Sequence, residues 1–287
     1  MPHNGPSNTD NRRTITSLQN DSVKLIRSLE MRKARRETGL FVAEGISLLL
    51  SARDNGWLPR TLVSGPGANE GAAVLALAEW GRAAGADHLE VSASVLEKLA
   101  AKDNPQSVMA VFEQRWSVLP SPKSLTPPEV AGDAAMPPLW VALEEIRDPG
   151  NLGTVLRTAD ASAASGVILV GNTCDPFSRE AVRASMGSIF AVPVVRCDQA
   201  AFLALAQRWP GDVVGTHLAG RLDFRSADYR EPVLLVMGNE GAGLSKDTAA
   251  ACGKLARIPM AGRLDSLNLA VATALMLFEL RRSYLKL

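Results

Sequence analysis

From Leu139 onward the chain alternates short, nearly continuous apolar runs with stretches of helical period. No other feature constrains its fold as strongly. The expected strands cover 139–143, 167–170, 192–195, 212–215, 233–237 and 255–258. Helices are expected at about 152–165, 179–188, 199–208 and 245–252, with a last one over 267–284. Strands with no polar alternation have no solvent face, so the fold class is α/β, with a parallel sheet covered by helices on both sides. In such sheets ligands bind beyond the carboxyl ends of strands, where loops lead into helices.

The preceding residues carry a looser version of the same pattern. Strands at 40–44, 61–64, 88–91 and 108–112 and helices at 46–55, 72–84 and 93–101 make a smaller α/β domain over 14–116. The first 13 residues, rich in Asn, Pro and Ser, are expected to be a disordered tail. Pro120, Pro122, Pro127, Pro128, Pro137 and Pro138 make 117–138 a stiff extended linker, leaving 139–287 as the second domain. An amphipathic helix is expected over 21–36, with Val23, Ile26 and Leu29 on one face. It carries Lys24, Arg27, Arg32, Lys33, Arg35 and Arg36 against Glu30. Pattern alone allows either a solvated face or a patch that contacts phosphates.

Composition removes several functions. With 31 basic and 30 acidic residues the chain is no polybasic protein, and 5% aromatics is low for a binder that works by base stacking. Cys174, Cys197 and Cys252 form no C-x-x-C pair and read as reduced thiols of a cytoplasmic protein. His3, His88 and His217 are scattered, which argues against a zinc site and against a hydrolase triad; no metal is expected. The start has no apolar segment of signal-peptide type, and the apolar run 267–280 is interrupted by Asn268 and Glu279, so no membrane association is expected.

Three segments fall at strand ends. The first is Asp148-Pro-Gly-Asn-Leu-Gly-Thr-Val-Leu-Arg157, in which Asn151 is placed to cap a helix and Arg157 lies within it. The second is Met237-Gly-Asn-Glu-Gly-Ala-Gly-Leu-Ser245. Gly238 and Gly243 match the outer glycines of a P-loop, but Leu244 stands where that loop requires lysine, and Lys246 comes two places late. Glu240 is presented on this turn. The third is Ile258-Pro-Met-Ala-Gly-Arg-Leu-Asp-Ser-Leu-Asn268, where Ser266 is a natural helix cap and Asn268 follows in the first turn.

Together these segments resemble, in order and separation, the signature motifs of the SpoU (TrmH-like) family of RNA 2′-O-ribose methyltransferases, part of the SPOUT superfamily. Val182-Arg-Ala-Ser-Met-Gly-Ser-Ile-Phe190 is similar to a further family element, and 23–45 is similar to the family's substrate-binding domain. The resemblance implies a C-terminal trefoil knot, a rare exception to unknotted topology. It also implies a homodimer with its active site at the subunit interface, and S-adenosylmethionine held by the loops 216–220, 238–243 and 258–266. Carried over by position, Asn151, Arg157, Glu240, Ser266 and Asn268 would be catalytic. Thr216, Leu218, Gly238, Asn239, Gly243, Ile258, Met260, Ser266 and Leu267 would hold the cofactor. Lys24, Arg27, Arg32, Lys33, Arg35, Arg36 and Arg183 would contact RNA, ribosomal sooner than transfer RNA by family analogy. Arg157 suits an electrostatic role at the ribose oxygen, with Asn151 and Asn268 holding the ribose or orienting Arg157, and Glu240 pairing with a positive group. The competing reading is a non-catalytic RNA-binding protein of the same fold.

Overall fold

The computed structural model describes residues 14–66, 71–100, 106–121, 125, 136–226, 228–264 and 266–285; the expected tail lies outside them. The chain forms two compact units. One comprises the chain up to Arg53 with Trp57–Glu113, the other Asp54–Gly56 with everything from Gln114.

The first unit runs α1 (Asp21–Ser28), α2 (Arg32–Thr38), β1 (Leu40–Glu44), α3 (Ile46–Asp54), β2 (Thr61–Ser64), α4 (Ala72–Ala83), β3 (Asp87–Glu90), α5 (Ala93–Leu99) and β4 (Val108–Glu113). The sheet order is β1-β4-β2-β3, with β4 antiparallel to both neighbours and β2 parallel to β3. Val23, Ile26 and Leu29 pack on Val42, Val63, Met109 and Val111 from the sheet. The expected single helix over 21–36 is two helices. Asn20 caps α1 by accepting from the Ser22 and Val23 amides, and α1 ends at Ser28. Arg35 accounts for the break and leaves the basic face. It is 5% exposed, and its Nη1 donates to the carbonyls of Leu29 and Glu30, both at 2.8 Å. Its guanidinium thus closes the end of α1 and is withdrawn from solvent, contrary to the expected RNA contact. Lys24, Arg27, Arg32, Lys33 and Arg36 are exposed. The Lys24–Asp21 and Lys33–Glu37 pairs among them are surface ion pairs of small energetic weight.

The second unit runs β5 (Leu139–Glu144), α6 (Pro149–Ala161), β6 (Gly166–Val170), α7 (Arg179–Ala184), β7 (Val194–Cys197), α8 (Gln199–Gln207), β8 (Val213–Thr216), β9 (Leu222–Asp223), β10 (Val233–Met237), α9 (Lys246–Ala251), β11 (Lys254–Arg257) and α10 (Leu269–Leu280). Its seven strands are ordered β7-β6-β5-β10-β8-β11-β9, and each described pairing is parallel. The parallel sheet is therefore as expected. β5, β6 and β10 are buried along their whole length, which is why they carry no polar alternation.

The proline-rich stretch is more than a linker. The Ser117 amide donates to the Val194 carbonyl at 2.8 Å and Ser117 pairs in parallel with Val195, so the chain continues the sheet edge beyond β7. Leu125 is 3% exposed in the core cluster that holds Trp140 and Phe202. Proline removes a donor but leaves edge pairing possible, and the composition argument missed this. Residues 122–124 and 126–135 lie outside the described ones.

Two contacts position the helix that follows β5. Gly153 brings α6 onto α7: a Cβ there would lie 2.5 Å from the Ala181 carbonyl oxygen and 2.5 Å from the Ala184 Cβ. At the other end Arg281 is buried, its Nε, Nη1 and Nη2 donating to the carbonyls of Ser162, Pro137 and Ala163 at 3.2, 2.8 and 3.0 Å. A cation aimed at the last carbonyls of α6 complements the negative end of that helix. It also ties down the end of α10.

Candidate active site

β10, β8 and β11 are adjacent in the sheet, and the loops leaving their carboxyl ends enclose a cavity of about 230 Å³. Of the expected cofactor residues, Thr216, Leu218, Gly243, Ile258, Met260, Ser266 and Leu267 line it; Gly238 and Asn239 do not. Those two build the loop. A Cβ on Gly238 would lie 2.1 Å from the Gly243 carbonyl carbon, so only glycine lets the turn close on itself. Asn239 and Gly243 then exchange backbone hydrogen bonds of 3.0 and 2.9 Å. The Asn239 side chain accepts from the Gly241 and Ala242 amides and donates to the Glu145 carbonyl at 2.8 Å. Ala256, Arg257 and Ala272 also line the cavity, outside the loops expected from the motifs, and His217 does so from within the expected loop 216–220 without having been singled out.

Glu144 sits beneath this loop at the end of β5. It is 4% exposed, and its carboxylate accepts from the Ser245 amide (2.8 Å), Ser245 Oγ (2.6 Å), Thr248 Oγ1 (2.6 Å) and Gln199 Nε2 (3.1 Å). Four donors from α8 and the start of α9 thus hold one buried carboxylate, with no cation paired to it among the described residues. Glu144→Gln puts an amide donor against these donors. It is expected to cost about 1–3 kcal/mol, read as a lower urea midpoint at unchanged slope. An unchanged midpoint would show that the network does not hold the loop. Burial, and then the charge of Glu144, pushes the nearby Cys252 thiol up to about 12, so it stays protonated.

The second cluster forms at the start of α6. Pro149 occupies the first helical turn and Asp148 is the cap, its Oδ1 accepting from the Asn151 amide at 2.5 Å. The cap expected at Asn151 is therefore Asp148, three residues earlier, which leaves the Asn151 side chain for other work. Asn151 Oδ1 accepts from Asn268 Nδ2 at 2.9 Å, and its Nδ2 donates to Glu240 Oε1 at 3.4 Å. Glu240 also accepts from the amides of Arg147 and Asp148 at 3.4 and 3.3 Å, so its partners are N–H groups where a positive side chain was expected. Asn268 caps α10 by accepting from the Ala270 and Val271 amides, the position assigned from sequence to Ser266. Ser266 instead faces the cavity.

Glu240, Asn151 and Asn268 thus meet in one network drawn from three chain segments. Arg157 is not in it. It lies six residues past Asn151 on α6, roughly 9 Å along the helix axis, and is exposed. No hydrogen bond or ion pair holds its guanidinium among the described residues, and the expected orientation by Asn151 is not seen. Arg183 is exposed on α7. Beside α6, the α10 side chains Val271, Leu275 and Phe278 are 50%, 41% and 48% exposed. They flank a groove of about 520 Å³ shared with Thr154 and Thr158. Among the described residues no cluster of His, Cys, Asp and Glu could hold a metal ion, and no helix is long and apolar enough to cross a membrane.

Residues 138–278 match the SpoU rRNA Methylase family, and residues 20–110 match the MRM3-like substrate binding domain. An AdoMet-bound rRNA methyltransferase from Sinorhizobium meliloti is 48% identical with a TM-score of 0.83, over 96% of this chain and 99% of that one. The 23S rRNA (uridine(2479)-2′-O)-methyltransferase of Streptomyces viridochromogenes is 32% identical over 86% of this chain and 84% of that protein. The 23S rRNA (guanosine(2553)-2′-O)-methyltransferase of Bacillus subtilis is 28% identical over 93% and 98%. Likeness on this scale, spanning both units and all three strand-end loops, makes the chain a member of the SpoU rRNA methylase family.

Proposed function

We propose that this protein transfers the methyl group of S-adenosylmethionine to a ribose 2′-hydroxyl of ribosomal RNA. The observation that carries the reading is that cavity and network share their loops. Glu240 adjoins Gly241, and Asn268 adjoins Leu267, both on the cavity wall. The cavity suits a nucleoside: Leu218, Ile258, Met260 and Leu267 supply apolar walls for a heteroaromatic ring, and the Gly238–Gly243 turn lets backbone approach it.

S-adenosylmethionine supplies a methyl group already activated by its sulfonium. The obstacle left to the protein is the nucleophile, since a ribose hydroxyl ionises far above neutral pH. A guanidinium keeps its proton up to about pH 12, so Arg157 serves as the charge that stabilises the developing alkoxide and not as the base. With no partner among the described residues, it is available for that role. The bonds from Asn268 and to Glu240 lock the Asn151 amide with its oxygen toward Asn268, leaving one N–H and one lone pair for the ribose.

The first unit is the RNA-binding domain in this reading, with Lys24, Arg27, Arg32, Lys33 and Arg36 toward phosphates, and the second unit is catalytic. A cytosolic setting is consistent with three free cysteines. The sheet order supports a knotted C-terminus: β10 lies between β5 and β8, and α10, which follows β11 near the far edge of the sheet, returns to pack on α6. The exposed α10 face supports a homodimer, since Val271, Leu275 and Phe278 follow helical spacing on one side. Phe278→Asp is expected to convert a dimer to a monomer in sedimentation velocity; a wild-type monomer at micromolar concentration would refute the dimer.

The function is tested by incubating the protein with ribosomal RNA and methyl-labelled S-adenosylmethionine, then identifying the labelled nucleosides by mass spectrometry. A 2′-O-methyl nucleoside is expected. RNA binding without transfer would favour the non-catalytic alternative.

A further inference from the structure

His217 follows β8, lines the cavity and is half-buried. Its Nδ1 accepts from the Ala219 amide at 3.1 Å, and the Gly220 amide donates to the His217 carbonyl at 2.9 Å. Together these bonds close a tight turn at the rim. A ring nitrogen that accepts carries no hydrogen, so neutral His217 bears its proton on Nε2. That N–H has no hydrogen-bond partner among the described residues. The same cavity wall carries Leu218, Ile258, Met260 and Leu267 alongside the polar Thr216 and Ser266. A donor whose ring orientation is already fixed loses less freedom on meeting a ligand acceptor than one that must first be ordered.

We propose that His217 is a specificity-determining residue for the methyl donor, its Nε2–H donating to an acceptor atom of the donor's nucleoside half. The Ala219 amide selects the tautomer that makes this possible. The contact falls to the nucleoside because His217 shares one cavity wall with Leu218, Ile258, Met260 and Leu267, the apolar residues that suit a nucleoside ring. The inference rests on the cofactor reading above and gives one side chain of the 216–220 loop a role of its own.

Two substitutions separate the donor from the turn. In His217→Asn the side-chain oxygen takes the place of Nδ1 and keeps the bond to Ala219, but nothing replaces Nε2–H. In His217→Gln the amide nitrogen reaches the place of Nε2, but the Ala219 bond is lost. Calorimetric titration with S-adenosylhomocysteine compares both, and His217→Ala, with wild type. His217→Asn and His217→Ala are expected to bind about tenfold more weakly, and His217→Gln within about threefold of wild type. In turnover, KM for S-adenosylmethionine rises for the Asn variant while kcat stays within about twofold. Wild-type affinity in His217→Asn, or His217→Gln as weak as His217→Ala, would overturn the proposal and reduce His217 to a turn residue. A wild-type protein that does not bind S-adenosylhomocysteine would instead overturn the cofactor reading, and this inference with it.

Discussion

Arg157→Ala lowers kcat for ribose methylation by about 10²–10³-fold while S-adenosylhomocysteine binds within about twofold of wild type. The split follows from where the residue sits. Arg157 is exposed on α6, makes no bond among the described residues, and is absent from the cavity wall. Its removal therefore leaves both the packing and the pocket as they were. What is lost is a preorganised charge at the oxygen that becomes negative in the transition state. Arg157→Lys keeps a charge but loses the planar fork, and is expected to recover only part of the rate. Single-turnover assays at saturating donor measure this directly. Wild-type turnover in Arg157→Ala would remove the guanidinium from the chemistry. A parallel loss of S-adenosylhomocysteine affinity would make its role structural.

Gly153→Val is expected to have the largest effect on stability. Two of the atoms that its Cβ would meet, the Ala181 oxygen and the Ala184 Cβ at 2.5 Å, belong to or sit directly on the backbone of α7 and cannot rotate away. The Ser185 amide nitrogen at 2.9 Å closes the third side. Overpacking at so tight a crossing costs about 3 kcal/mol, because one helix must move off the other. A matching fall in the urea midpoint is the expected result, and Gly153→Ala should show a smaller fall in the same direction. Asn151 and Arg157 ride on α6, so the displaced helix should also lose activity beyond what the unfolded fraction explains. An unchanged midpoint would mean that the α6–α7 contact is looser than the structure places it.

The parallel sheet and the position of the site were legible because both rest on patterns that backbone physics imposes. Buried strands lose their polar alternation, and ligand loops fall at strand carboxyl ends. Competitions between near-equivalent residues were not legible. Asp148 and Asn151 are both good caps three residues apart, and Pro149 tips the choice by fitting only the first turn after Asp148. Ser266 and Asn268 pose the same ambiguity, resolved by which of them faces the cavity. Arg35 reads as one more surface charge until the turn between α1 and α2 brings the Leu29 and Glu30 carbonyls to it. β9 is two residues long, too short for any periodicity. His217 is one histidine in a short loop, and only the Ala219 bond shows which of its nitrogens is already engaged.

A structure of the protein crystallised with S-adenosylhomocysteine bears most directly on the whole mechanism. The nucleoside is expected between Leu218, Ile258 and Leu267, with the sulfur directed toward Asn151 and Asn268 and the Arg157 guanidinium within reach of that face, from its own or a partner subunit. Density for the ligand elsewhere, or a filled cavity with every Arg157 turned to bulk solvent, would contradict it.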